Sequence, residues 1–187
     1  LGAVTFEVGA QLANAHLAQR GAGRLHLDGQ RQPPQPFDDG GSGVTIARVV
    51  PGAVLRAIAF GEELRGGVYR VDTDLTVEKV QGGTNCSNGQ DFSLDLKTYY
   101  WSESTAKKIY RFDYDKSSGA IANRKVLFDV PNDWGINDGL KIDSEGCLWI
   151  AFYGESAVRR FSPEGEVMET IKIPAPDVTS VMFGGAE

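Results

Sequence analysis

The sequence predicts an all-β protein assembled from repeated four-strand units. Three observations predict it: a five-residue segment recurs three times, a second segment recurs upstream of its last two copies, and both carry a two-residue alternation dense in Val, Ile, Tyr, Phe and Trp. The first repeat is Val68-Tyr69-Arg70-Val71-Asp72, Ile109-Tyr110-Arg111-Phe112-Asp113 and Val158-Arg159-Arg160-Phe161-Ser162, at spacings of 41 and 49 residues. In the second, Asn88-Gly89-Gln90-Asp91-Phe92 precedes Thr98-Tyr99-Tyr100-Trp101, and Asp138-Gly139-Leu140-Lys141-Ile142 precedes Leu148-Trp149-Ile150-Ala151. Four short strands recurring every 40 to 50 residues or so mark the blades of a β-propeller, because one blade cannot bury both its faces and must stack on neighbours.

Taken in chain order, Leu12–Leu17 reads as a short helix and Gly23–Gly29 as one strand of a hairpin. The stretch Gln30–Gly43, QRQPPQPFDDGGSG, has the proline and glycine content of a linker. It sets a boundary between a divergent or poorly ordered segment, residues 1–43, and propeller blades over residues 44–187. Val44–Phe60 reads as strands around a Pro51-Gly52 turn. Each copy of the first repeat then passes through a polar turn, such as Ser162-Pro163-Glu164-Gly165, into a second strand. Those second strands are placed at Leu75–Val80, Ile121–Phe128 and Val167–Ile173. Residues 64–187 supply about two and a half to three blades and the N-terminal residues at most one more, so the prediction is an incomplete propeller of about three to four blades with exposed edges.

Composition narrows the function. A net charge of -6 gives no basic face for sequence-independent grip on nucleic acid or anionic lipid. No apolar run reaches the roughly 20 residues of a membrane helix. Small-molecule or cation partners fit better, with neither nucleic acid nor membrane expected. Cys86 and Cys147 are separated by 61 positions without any CxxC pattern, so free core thiols are expected. LGAVTFEVGAQLANA lacks the parts of a secretory signal, which makes a cytoplasmic location the expectation. The chain opens at Leu1 and not at methionine, which leaves room for preceding sequence.

The second repeat sets Asn88 and Asp138 at the same point of successive blades. Innermost strands of a propeller line its channel, so equivalent residues on adjacent blades converge on the axis. An amide carbonyl and a carboxylate there are hard oxygen donors suited to calcium, magnesium or manganese, with zinc less favoured. The competing reading makes both residues turn formers, as Asn-Gly and Asp-Gly pairs often are. From the residues alone both readings stand.

The segments SNGQDFSLDLKTYYW, IYRFDYDKSSGAIANRKVLFDVP, INDGLKIDSEGCLWIAFYG and VRRFSPEGEVMETIKIPAPDVTSVMFGG resemble, in order and at family spacing, regucalcin, the gluconolactonases and the luciferin-regenerating enzymes. The resemblance spans residues 64–187. It implies a six-bladed propeller hydrolysing sugar-type lactones with a divalent cation, calcium first, held in part by Asn88 and Asp138, with Asp138 also the candidate base. That family's third protein ligand is a glutamate in a GEGP-type motif. Residues 1–63 contain no such motif, and Asn14 falls near its expected place. The family's RxNDG substrate segment is absent as well. The competing function is a non-catalytic binding module or degenerate fragment of the same family.

Other motifs reduce to structure. Asp113–Ser117 opens like a calcium-binding EF-hand loop, but position twelve is Arg124, so a hairpin turn is expected. Ser42 lies in the linker and lacks a GxSxG elbow. His16 and His26 have no metal-like spacing to other ligands. Trp101 and Trp149 sit in repeating strands and are expected in the core. Trp134, in the loop before Asp138, is the candidate rim contact for a lactone.

Overall fold

The structure is a computed structural model that describes residues 3–8, 43–45, 53–58, 66–72 and 75–184, the first three of these segments by their backbone. All the regular structure described is β. The strands are β1 (Ala3–Val8), β2 (Gly43–Thr45), β3 (Ala53–Ile58), β4 (Gly66–Val71), β5 (Val77–Thr84), β6 (Ser87–Phe92) and β7 (Thr98–Glu103), followed by β8 (Lys108–Asp115), β9 (Ala120–Asp129), β10 (Ile136–Ile142), β11 (Leu148–Tyr153), β12 (Ala157–Phe161), β13 (Val167–Lys172) and β14 (Val178–Gly184). They form three four-stranded antiparallel sheets, β2-β3-β4-β5, β6-β7-β8-β9 and β10-β11-β12-β13. A fourth sheet pairs β14 with β1 from the N-terminal end. This is the predicted partial propeller: three blades in sequence and the first strand of another.

The hairpins follow the repeat. In the last blade the Gly165 N–H donates to the Ser162 carbonyl at 2.9 Å, with Gly165 at φ +94°, a conformation that a residue with a Cβ resists. The strand predicted at Leu75–Val80 instead starts at Val77 and runs on to Thr84. Leu75 is drawn into the preceding turn at φ +70°, where its N–H reaches the Asp72 carbonyl at 2.9 Å. The expected helix at Leu12–Leu17, the strand at Gly23–Gly29 and the body of the linker lie outside the described residues.

Packing between blades makes the core. Val68 of the first blade meets Tyr99, Trp101 and Phe112 of the second. Tyr100 and Ile109 of the second meet Leu140, Leu148, Ile150, Phe152 and Phe161 of the third. Trp149, Ala151 and Val158 of the third meet Val178 and Val181 of β14. Each fully buried large side chain contributes about 1.5–3 kcal/mol, so every blade is stabilised mainly by its neighbours. Trp101 and Trp149 are buried, as their strand positions predict. Both cysteines are free thiols, Cys147 buried as expected and Cys86 half-buried at the start of an inner strand.

Candidate functional site

Asn88 lies in β6 and Asp138 in β10, the innermost strands of neighbouring blades. Both are almost completely buried, at 3% and 5% exposure. Neither is in a turn, so the turn-former reading of the two Xaa-Gly pairs gives way. Gly89 and Gly139 have another cause. A Cβ on Gly89 would lie 2.1 Å from the Leu140 nitrogen and 2.6 Å from the Asp138 carbonyl oxygen. One on Gly139 would lie 2.8 Å from the Cα of Ser180 in β14. Each glycine is a place where one inner strand touches the backbone of the next, and that contact sets Asn88 beside the Asp138 segment.

A buried polar layer surrounds the pair. The Asn88 amide donates to Ser104 Oγ at 3.1 Å, and Ser104 Oγ donates to the Asn137 carbonyl at 2.6 Å. Asn137, wholly buried, donates from Nδ2 to Ser102 Oγ at 2.8 Å and to the Glu103 carbonyl at 3.2 Å. These bonds run from β10 back to the end of β7, so they clamp the third blade to the second beside Asp138. Glu103 is itself buried; it accepts from the Thr84 hydroxyl and, at 2.6 Å, from the Ala106 N–H. Sequence reasoning passed over Ser104, Asn137 and Glu103. Their only signal was polar character at the ends of strands that otherwise alternate toward the core.

Trp134 is half-buried, four residues before Asp138 in the loop that leads into β10. Its ring meets Phe152 edge-on at 5.5 Å, and the Arg159 guanidinium carbon sits 3.8 Å from its centroid. Arg159 is buried and held by Glu155 through paired hydrogen bonds, and Glu155 also accepts from the Gly135 N–H at 3.1 Å. Bonding to Arg159 keeps the Glu155 carboxyl below its ordinary range despite partial burial. Lys107 donates to the carbonyls of Pro131 and Trp134, both at 2.9 Å. The loop is therefore pinned from both sides, and Trp134 is a fixed aromatic surface.

The Asp113–Ser117 segment leads into a hairpin turn, as expected. The Asp115 carboxylate accepts from the Ser117 N–H and hydroxyl and from the Ser118 hydroxyl, which closes the β8–β9 turn and holds its pKa at about 2. Ser42, His16, His26 and Asn14 lie outside the described residues.

Two oxygen side chains of this kind fit a hard divalent cation as part of its shell, and a carboxylate this buried is compensated by hydrogen bonds or by a cation. Among the described residues no group of three or more His, Cys, Asp or Glu could hold a metal ion.

Comparison with known proteins gives the family. The sequence pattern of the SMP-30/Gluconolactonase/LRE-like region matches residues 45–187. Regucalcin of Sus scrofa is 39% identical over 132 residues, 70% of this chain and 44% of that protein. Pentonolactonase XacC of Haloferax volcanii is 34% identical over 122 residues, 65% of this chain and 42% of that protein. The crystal structure of the calcium-binding protein regucalcin from Agrobacterium tumefaciens superposes with a TM-score of 0.69 at 26% identity, covering 76% of this chain and 50% of that one. The chain thus spans about half the length of the relatives it matches, as a partial propeller should. With blades, inner-strand motifs and sequence all in agreement, the chain belongs to the SMP-30/gluconolactonase/LRE-like family, which includes regucalcin and sugar lactonases.

Proposed function

We propose that this chain carries the Asn88 and Asp138 portion of a divalent-cation site for the hydrolysis of sugar-type lactones. The observation that supports it is the burial of an amide and a carboxylate at equivalent positions of adjacent inner strands, with Gly89 packed on the Asp138–Leu140 backbone. Calcium is the first candidate, with zinc, magnesium and manganese as alternatives. When bound, such a cation polarises an ester carbonyl and acidifies water. Asn88 offers a neutral oxygen, which holds a cation without cancelling its charge. Asp138 offers a charged one and, as general base, takes a proton from the water that opens the lactone. Trp134, rigid against Arg159, presents an aromatic surface on which a sugar ring can stack. The product is the ring-opened hydroxy acid.

A second reading has its own support: the described residues supply two side-chain donors and no larger acidic cluster, which suits a non-catalytic binding module of the same family. Calorimetric titration with calcium, zinc and manganese, followed by gluconolactone hydrolysis by the parent and by Asp138→Ala, separates the two. A lactonase shows saturable cation heat and a rate that Asp138→Ala lowers at least a hundredfold, about the loss expected of a general base. Absence of cation heat and equal rates for parent and variant would establish the module.

A further inference from the structure

An asparagine side chain has one end that can hold a cation and one that cannot, so a site using Asn88 needs something that tells the two ends apart. Amide orientation is dictated by the surrounding hydrogen bonds. Among the partners of the Asn88 amide is a hydroxyl whose own proton is committed elsewhere. Ser104, 5% exposed, follows the last residue of β7, and its own N–H donates to the Cys86 carbonyl at 3.0 Å, which fixes its backbone against the start of the inner strand. A serine hydroxyl has one proton. That proton goes to the Asn137 carbonyl at 2.6 Å, and a backbone carbonyl can only accept. Toward Asn88, 3.1 Å away, Ser104 Oγ therefore presents lone pairs.

Only the Nδ2 end of the amide can face those lone pairs. A flipped Asn88 would set its carbonyl oxygen against another acceptor at that separation. Nδ2 also lies 3.8 Å from Cys86 Sγ, a second acceptor on the same side. Oδ1, the end able to ligate, is thus turned away from Ser104. The same hydroxyl ties the residue before Asp138 to the end of β7, so one atom sets both the facing of the amide and the station of the neighbouring strand.

We infer that Ser104 is a positioning residue for the cation site: committed to the Asn137 carbonyl, its hydroxyl selects the Asn88 rotamer that presents oxygen to a ligand. The inference rests on the reading that Asn88 and Asp138 hold a cation, and it extends that reading to a residue that touches no cation itself. Sequence shows nothing of it, because Ser104 is one of a run of polar residues, Ser102-Glu103-Ser104-Thr105.

The test is a double-mutant cycle read by cation titration, with a second measurement that needs no cation. Ser104→Ala is expected to weaken calcium or manganese binding by about tenfold or more, the usual scale for a partner that orients a ligand. In an Asn88→Asp background, where both ends of the side chain are oxygen, Ser104→Ala is expected to leave affinity unchanged within about twofold. Equal losses in the two backgrounds would show that Ser104 only supports the fold and would overturn the inference. Without cation, the Asn88 side-chain amide protons, followed by 15N-edited NMR, are expected to exchange slowly in the parent and at least tenfold faster in Ser104→Ala. Unchanged exchange would also overturn it. Should the parent bind no cation, the function proposed above fails, and the amide exchange alone decides whether Ser104 orients Asn88.

Discussion

The second and third blades have the same four strands in the same order, yet different chemistry holds them together. The residue that follows the inner strand is Ser93 in one and Asp143 in the other, five positions after Asn88 and Asp138 respectively. Ser93 Oγ accepts from the Thr98 N–H at 2.9 Å, and Asp143 Oδ1 accepts from the Cys147 N–H at 2.9 Å, so both close the same turn. Only Asp143 has a second oxygen. That atom takes the Trp149 indole N–H at 2.9 Å and the Arg160 guanidinium at 2.7 Å. Arg160 is consequently largely buried, while Arg111, at the matching position of the second blade, is exposed. In place of that buried ion pair the second blade has rings: Phe92, Tyr99, Phe112, Tyr114 and Trp101 lie within 4.5–6.3 Å of one another in successive pairs. One repeat can thus be fastened by aromatic packing or by a buried ion pair, and the choice turns on a single side-chain oxygen.

The largest effect should come from the aromatic blade. Trp101 is 1% exposed and bonded through its indole to Ser87 Oγ at 2.9 Å. Trp101→Ala should cost about 3–5 kcal/mol in urea unfolding, with little dependence on salt. A loss under 1 kcal/mol on the order of a surface change would refute the aromatic account.

The ionic blade should respond to a smaller change and to pH. Asp143→Ala leaves the Trp149 N–H without this acceptor and Arg160 with only the exposed Glu145 as its carboxylate, a cost of about 1–3 kcal/mol, whereas Asp143→Ser restores the second-blade turn and should lose less. Burial pushes the Asp143 carboxyl up, but the bonds from the Cys147 N–H, Trp149 and Arg160 outweigh it and hold it below its ordinary value. A depressed carboxyl stabilises the fold above the unfolded pKa of about 3.9, and that contribution disappears as pH falls through the lower folded value. The difference in stability between parent and Asp143→Ser should therefore shrink between roughly pH 5 and the acid limit of folding. A difference that stays constant across that range would mean the ion pair contributes nothing.

The seam that the two blades share gives a test of both stability and binding. Gly89→Ala forces a Cβ to within 2.1 Å of the third blade's backbone, where no flexible side chain can give way, and should cost at least about 3 kcal/mol while weakening cation binding. Wild-type affinity in this variant would detach the site from the seam.

Much of this was legible in the residues. The recurrence of Tyr-Arg-Val, Tyr-Arg-Phe and Arg-Arg-Phe located β4, β8 and β12, and the paired Xaa-Gly motifs located β6 and β10. Asn88 and Asp138 were legible as equivalents because a repeat puts equal columns at equal depth. Ser104, Asn137, Glu155 and Arg159 were not. Glu155 and Arg159 pair with each other locally, but the contacts that matter to the site lie 33, 35, 20 and 25 positions away in Asn137, Ser102, Gly135 and Trp134, and no local pattern records them.

By itself the sequence determined the strand period, the hairpin turns and the two inner-strand oxygens, since alternation and turn chemistry act within a few residues. Tertiary structure alone decided why the glycines follow those oxygens, which end of the Asn88 amide faces Ser104, and whether an arginine is exposed or paired. Those depend on contacts between neighbouring blades, and a blade acquires its environment only when the next one is stacked on it.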